Sequence, residues 1–290
     1  MIYDFDTTAT SPVIPEVLAT YVRHLGDRAN NSASAHEGGL QAARSMAAAR
    51  QSIAASLDCL PQEVFFTSGG TESINHAIKG VAWSSRKKPA RAVTTAGEHD
   101  AVLGSMTFLE QQLGYEIALA HLLPSGSVDP ESLFALLTEG PLGLVSIISV
   151  NNETGAINDL ETLVPRIRRL VPHVVIHSDI VQVCGKMPFS FRRSGIDLAS
   201  ISGHKFGAPK GTGLLLKRDN LPLTPLMHGG GQQAGVRSGT ENVPGAVALT
   251  QAMAYHQDRM AVDFDRVRTL RKLFILGIEQ YGIPHRILSS

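Results

Sequence analysis

The chain has 290 residues, 43% hydrophobic and 18% charged, which suits a globular protein of one or two domains. Lys plus Arg and Asp plus Glu number 26 each, so there is neither a basic field to gather nucleic acid nor an acidic one to repel it, and small molecules are the expected ligands. No run approaches the ~18 uninterrupted apolar residues of a membrane span, the first residues lack a leader pattern, and Cys59 and Cys184 lie too far apart for a disulfide framework or metal-ligand spacing, so the expectation is a cytoplasmic protein without a metal.

Pro12, Pro15 and the cluster Asn30-Asn31-Ser32 predict an irregular N-terminal arm. An Ala-rich helix is expected over 40–57. Short apolar, β-branched runs then predict strands at Val64–Thr67, Ala92–Thr95, Leu144–Val150, Val174–His177, Leu198–Ser202 and Gly213–Lys217. Amphipathic segments of helical length, Ala101–Leu113, Pro130–Leu137 and Leu160–Leu170, separate several of them. Such alternation predicts an α/β fold with crossover units on a largely parallel sheet. Val247–Gln280, almost without Gly or Pro, predicts one long connecting helix.

In an open α/β sheet, ligands collect at the carboxyl ends of the strands, so the motifs that follow strands carry the chemistry. Ser68-Gly69-Gly70-Thr71-Glu72 opens a helix and can cradle an anion on its N–H groups, or simply connect strand to helix. In His177-Ser178-Asp179-Ile180-Val181-Gln182 the aspartate can pair with a protonated pyridine nitrogen, or cap a helix. Ser202-Gly203-His204-Lys205 offers a hydroxyl, an imidazole and an amine; Gly207, Gly211 and Gly213 surround it, with Gly203 read as a hinge, although a lone lysine is usually solvated. His99, in Glu98-His99-Asp100, can stack on a planar ring and move protons, or be structural. The run Asn151-Asn152-Glu153-Thr154-Gly155 can donate an amide to a phenolate oxygen or make a turn. The Gly-rich stretch from His228 to Thr240 reads as a surface loop, or as a source of anion contacts, through Arg237 and Thr240, to a neighbouring subunit.

Taken together, the co-linear order of these motifs resembles the cysteine desulfurases, fold-type I pyridoxal phosphate (PLP) enzymes of the class V aminotransferase-like family. The match runs from Asp6 to about Thr240, beginning with Phe5-Asp6-Thr7-Thr8-Ala9-Thr10 and the His36 segment. The resemblance implies a mostly parallel, seven-stranded sheet flanked by helices, with an N-terminal arm (1–15), a PLP-binding large domain (16–245), and a connecting helix with the start of an incomplete small domain (246–290). It also implies that Lys205 holds PLP as a Schiff base, Asp179 pairs with the pyridine nitrogen, Gln182 and Asn152 bind the phenolic oxygen, and His99 stacks on the ring. Gly70, Thr71, Ser202 and His204 would hold the phosphate, with Thr240 reaching across a homodimer. The implied reaction converts L-cysteine to L-alanine and passes sulfur, through an enzyme cysteine persulfide, to an acceptor or scaffold protein. Two departures stand out: Asn31 replaces a proline, and the family's persulfide cysteine and substrate-carboxylate arginine belong to a region that would follow Ser290. A shortened chain with reduced or absent turnover is therefore expected. The alternatives are another PLP reaction (selenocysteine lyase, C–S lyase or aminotransferase) and a non-catalytic PLP-binding or scaffold chain.

Overall fold

The computed structural model describes residues 6–26, 30–85 and 91–287. Phe5 of the N-terminal motif and residues 288–290 of the C-terminal segment lie outside them. One seven-stranded sheet is built from β1 (Val64–Thr67), β2 (Arg91–Thr95), β3 (Glu116–Ala120), β4 (Leu142–Ser146), β5 (Val175–Asp179), β6 (Leu198–Ser202) and β7 (Gly213–Lys217), in the spatial order β1-β7-β6-β5-β4-β2-β3. β7 runs antiparallel to both its neighbours, β1 and β6, and the other pairings are parallel. The expected α/β, mostly parallel architecture is what forms.

Strands β6 and β7 are buried along their whole length, as strands covered on both faces must be, and this is why they read as apolar or small runs up to Lys217 at the end of β7. One face packs under α3 (Gly70–Ser84) and α4 (Asp100–Leu113), with Phe65, Ile74, Ile78, Met106 and Leu109 at its centre. The other packs under α2 (Glu37–Ser56), α5 (Pro130–Leu136), α6 (Leu160–Leu170) and the first part of α8 (Val243–Gln280), around Ile53, Val145, Ile167, Ile176 and Leu249. His36 caps α2 by accepting the Gly39 N–H.

The regular pairing of β4 ends at Ser146, although the expected strand Leu144–Val150 stays bonded to β5 through the Ile147 and Ser149 N–H groups, which donate to the His177 and Asp179 carbonyls at 3.1 and 2.9 Å. Both backbone groups of Ile148 are taken by side chains: Glu98 accepts its N–H at 2.7 Å and Asn158 donates to its carbonyl at 2.7 Å. The N-terminal arm also differs from expectation, because Pro15–Gly26 is a helix (α1). Pro15 begins it, a position where the missing N–H costs nothing, and Val17 is fully buried. Only the first part of α8 is buried; beyond it Val262, Phe264, Val267, Leu270 and Phe274 are all more than half exposed. No helix of the described residues is long and apolar enough to cross a membrane.

Candidate active site

The carboxyl ends of β1, β2, β5 and β6 meet at one edge of the sheet, where a single cavity opens. It is faced by Gly70, Thr71, His99, Asn152, Asp179, Gln182, Ser202, His204 and Lys205, with Ile74, Ile148 and Val181 supplying its apolar wall. Every site residue expected from the sequence is there except Thr240, which is exposed in the downstream loop.

After β1, Gly69 occupies the N-cap of α3 and provides no side-chain cap, so the first N–H groups of the helix stay open. A Cβ on Gly70 would come within 3.1 Å of Val181 and 3.4 Å of Ser202, so glycine keeps this cradle free. Glu72 would compete with an anion there, but Arg237 binds it at 2.8 and 3.2 Å and the Ser68 N–H donates to it at 2.8 Å. Burial alone would raise the Glu72 carboxyl; these bonds outweigh it and hold the group below its ordinary range.

Asp179 ends β5 with only 3% of its surface exposed, and its Oδ1 accepts the Val181 N–H at 2.9 Å. Turns follow rather than a helix, so the capping alternative does not hold. Burial pushes its carboxyl up to about 6, against opposing effects from that N–H, His99 and Lys205. Gln182 is buried on the same wall and accepts from Lys186 through Oε1.

After β6 the chain makes a single 3₁₀ turn, Gly203–Lys205. Gly203 is not the hinge expected of it. A Cβ there would meet Thr212 Oγ1 at 2.4 Å, so glycine permits close packing of the turn. Lys205 Nζ donates to the carbonyls of Thr8 and Ala9 at 2.8 and 2.9 Å. The N-terminal arm is laid over this turn by Ser11 N–H to the His204 carbonyl at 2.8 Å, Ile14 N–H to the Gly207 carbonyl at 3.0 Å, and His204 Nδ1 beside Thr10 Oγ1 at 3.1 Å. Burial lowers the Lys205 pKa, with Asp179 opposing.

His99 caps α4, its Nδ1 accepting the Ala101 N–H at 3.0 Å, which leaves the ring proton on Nε2. Asn151 makes the bonds of the turn after β4, accepting the N–H groups of Glu153 and Thr154, and leaves its neighbour Asn152 to face the cavity.

The class V aminotransferase profile matches residues 2–281. The chain belongs to that family. An IscS-like cysteine desulfurase of Mycobacterium tuberculosis is 39% identical over 281 residues, covering 94% of this chain and 70% of that protein. The cysteine desulfurase IscS of Dictyoglomus turgidum is 37% identical, covering 95% and 69%. Among solved structures, a NifS-like protein matches with a TM-score of 0.96 at 36% identity, over 100% of this chain and 78% of that one. SspA, solved in complex with cysteine, matches with a TM-score of 0.82 at 33% identity, over 87% and 72%. The chain thus spans about 70% of the length of the curated relatives it matches. The family is PLP-dependent, and PLP is the cofactor of this enzyme.

Three features escaped the sequence reading. Main-chain carbonyls of Thr8 and Ala9 hold Lys205, and a carbonyl leaves no mark on residue type. Arg237, read as an anion contact for a neighbouring subunit, is engaged by Glu72 instead. Gln233 pins the Gly-rich loop by pairing both ways with the Phe66 backbone at 2.7 Å.

Proposed function

We propose that the cavity is the PLP site and that the chain is the cofactor-binding body of a cysteine desulfurase. The observation that carries this reading is the convergence of an amine, a buried carboxyl, two amides, two imidazoles and an uncapped helix N-terminus on one cavity. The donor set fits the group. The open N–H groups of α3, the Thr71 and Ser202 hydroxyls and His204 would take the phosphate. Asp179 is costly to ionise in its buried setting, and a protonated pyridine nitrogen would relieve that cost. Asn152 and Gln182 would bind the phenolic oxygen, His99 would lie against the ring, and Lys205 would hold the aldehyde carbon covalently.

Bound there, PLP supplies an electron sink for a carbanion at the substrate Cα. Lys205, its pKa lowered by burial, is suited to take and return the proton at that carbon. Cysteine as substrate is supported by the relatives named as cysteine desulfurases and by SspA with cysteine bound. Neither Cys59 nor Cys184 suits the role of sulfur acceptor: both are buried free thiols, and burial, chiefly, pushes each up to about 12. The acceptor is a thiol other than these two. Thr240, exposed and outside the cavity of its own chain, would act on a second copy in a homodimer. Residues 16–245 are assigned to the PLP-binding domain and 246–290 to a connecting helix that begins a small domain; the exposed apolar side chains of α8 from Val262 onward support the second assignment, whereas Ala246 to Met253 pack into the large-domain core. The setting of this reading is cytoplasmic, with a sulfur-acceptor or scaffold protein downstream.

Loaded with PLP and given L-cysteine and an external thiol, the chain is expected to form L-alanine and sulfide in equal amounts, and the double variant Cys59→Ala/Cys184→Ala to do so at the same rate. Pyruvate instead of alanine, or amino transfer to a keto acid, would assign the site to another PLP reaction. Loss of product in the double variant would return one of these cysteines to the mechanism.

A further inference from the structure

Glu98 immediately precedes His99 and is unlike the other carboxylates of the site. Its side chain is 6% exposed. Oε1 accepts the Ile148 N–H at 2.7 Å and the Thr95 hydroxyl at 3.3 Å, whereas Oε2 is buried and has no hydrogen-bond partner among the described residues. No Lys or Arg pairs with it in the ion pairs of those residues. The charged group that bears on it is Asp179, a second carboxylate. A buried carboxylate without a cation, facing a second carboxylate, is far more costly than a neutral acid. Since Oε1 already accepts from two donors, the proton belongs on Oε2.

We propose that Glu98 is a positioning residue acting as a neutral carboxylic acid: it ties the loop that carries His99 to Ile148 and leaves the negative charge at the cavity floor to Asp179. Both residues it joins face the cavity, His99 from the end of β2 and Ile148 from the segment leaving β4. The bond to Ile148 ties this segment to the α4 N-terminus on one side, while the Ile147 and Ser149 N–H groups donate to the His177 and Asp179 carbonyls of β5 on the other, so imidazole and apolar wall are held at a fixed spacing. Burial pushes the Glu98 carboxyl well above its ordinary range, with Asp179 adding to the effect and the Ile148 N–H opposing it.

The inference rests on the reading of this cavity as a PLP site, and its test separates the two. Glu98→Gln keeps the acceptor toward Ile148 and Thr95, keeps a donor in place of the acid proton, and is neutral. It is expected to bind PLP within about twofold of the parent, whereas Glu98→Ala, and Glu98→Asp with its shorter reach, should lose about tenfold, the equivalent of one lost buried hydrogen bond. The infrared spectrum at neutral pH should contain a protonated-carboxyl band that is missing in Glu98→Gln. Equal loss in Glu98→Gln and Glu98→Asp, or the absence of that band from the parent, would overturn the proposal. Failure of the parent to bind PLP would sink the cofactor reading, and the infrared band would still decide the charge state of Glu98.

Discussion

Asp179→Asn is expected to stabilise the cofactor-free protein above pH 6 and to weaken PLP binding by a factor of about 100 or more, as follows from removing one member of a buried ion pair. Burial moves this carboxyl from 3.8 to about 6, a preference of the folded state for the neutral acid. A raised carboxyl pKa imposes no cost below its unfolded value. The cost grows as pH rises through the interval from about 4 to about 6 and is complete above it, where it amounts to about 3 kcal/mol at 1.36 kcal/mol per unit. Asparagine carries no charge and still presents Oδ1 to the Val181 N–H, so the variant escapes that cost while keeping the local bond. Thermal melts of both cofactor-free proteins between pH 4 and pH 8 should coincide at the acid end and separate through pH 6, with the variant more stable. In the presence of PLP the order should reverse, because the parent gains the pyridinium pair and the variant does not. Parallel melting curves across the whole range, or undiminished PLP affinity, would show that Asp179 does not hold the charge assigned to it.

Gly213→Ala is the second substitution with a large expected effect. Gly213 starts β7 opposite both Thr67 and Ser202, the last residues of the strands that lead into the phosphate cradle and into the Lys205 turn. A Cβ there would meet Gly69 Cα at 2.5 Å and the Ile201 carbonyl oxygen at 2.7 Å, both backbone atoms that cannot rotate away. The strands must part, and overpacking of this kind costs about 1–3 kcal/mol. Because the displaced atoms include Gly69, the N-cap of α3, PLP affinity should fall together with the melting temperature. A variant that melts lower but binds PLP unchanged would uncouple the cradle from the strand spacing, contrary to this account.

Much of the fold is legible in residue pattern because β1, β6 and β7 are buried on both faces and are apolar or small apart from Lys217 at the end of β7, whose amine donates to the Arg218, Asp219 and Leu221 carbonyls. β3 leaves a weaker trace. It lies at the sheet edge, with Glu116 and Leu119 exposed, and its apolar run Ile117–Ala120 is short, half alanine and holds a single β-branched residue, a weak strand signal. α1 is hidden by Pro15, which reads as a break and serves as a first helical residue. In the site, residues whose side chains carry the chemistry, such as Lys205, Asp179 and His99, are visible through their type and their place after strands. The contacts that orient them are not. Glu72 and Arg237 are 165 positions apart in the chain, Lys205 and Thr8 197, and such pairings exist only once the sheet has formed.

The claim at the centre of this account is that Lys205 is the residue holding the cofactor. It is tested most directly by adding PLP to the purified chain, reducing with borohydride and mapping the pyridoxyl mass by peptide sequencing, in parallel with Lys205→Ala. The account predicts a visible absorbance band on PLP addition, a single modified site at Lys205, and neither in the variant. A pyridoxyl group mapped to another lysine, or an unchanged spectrum in Lys205→Ala, would contradict it.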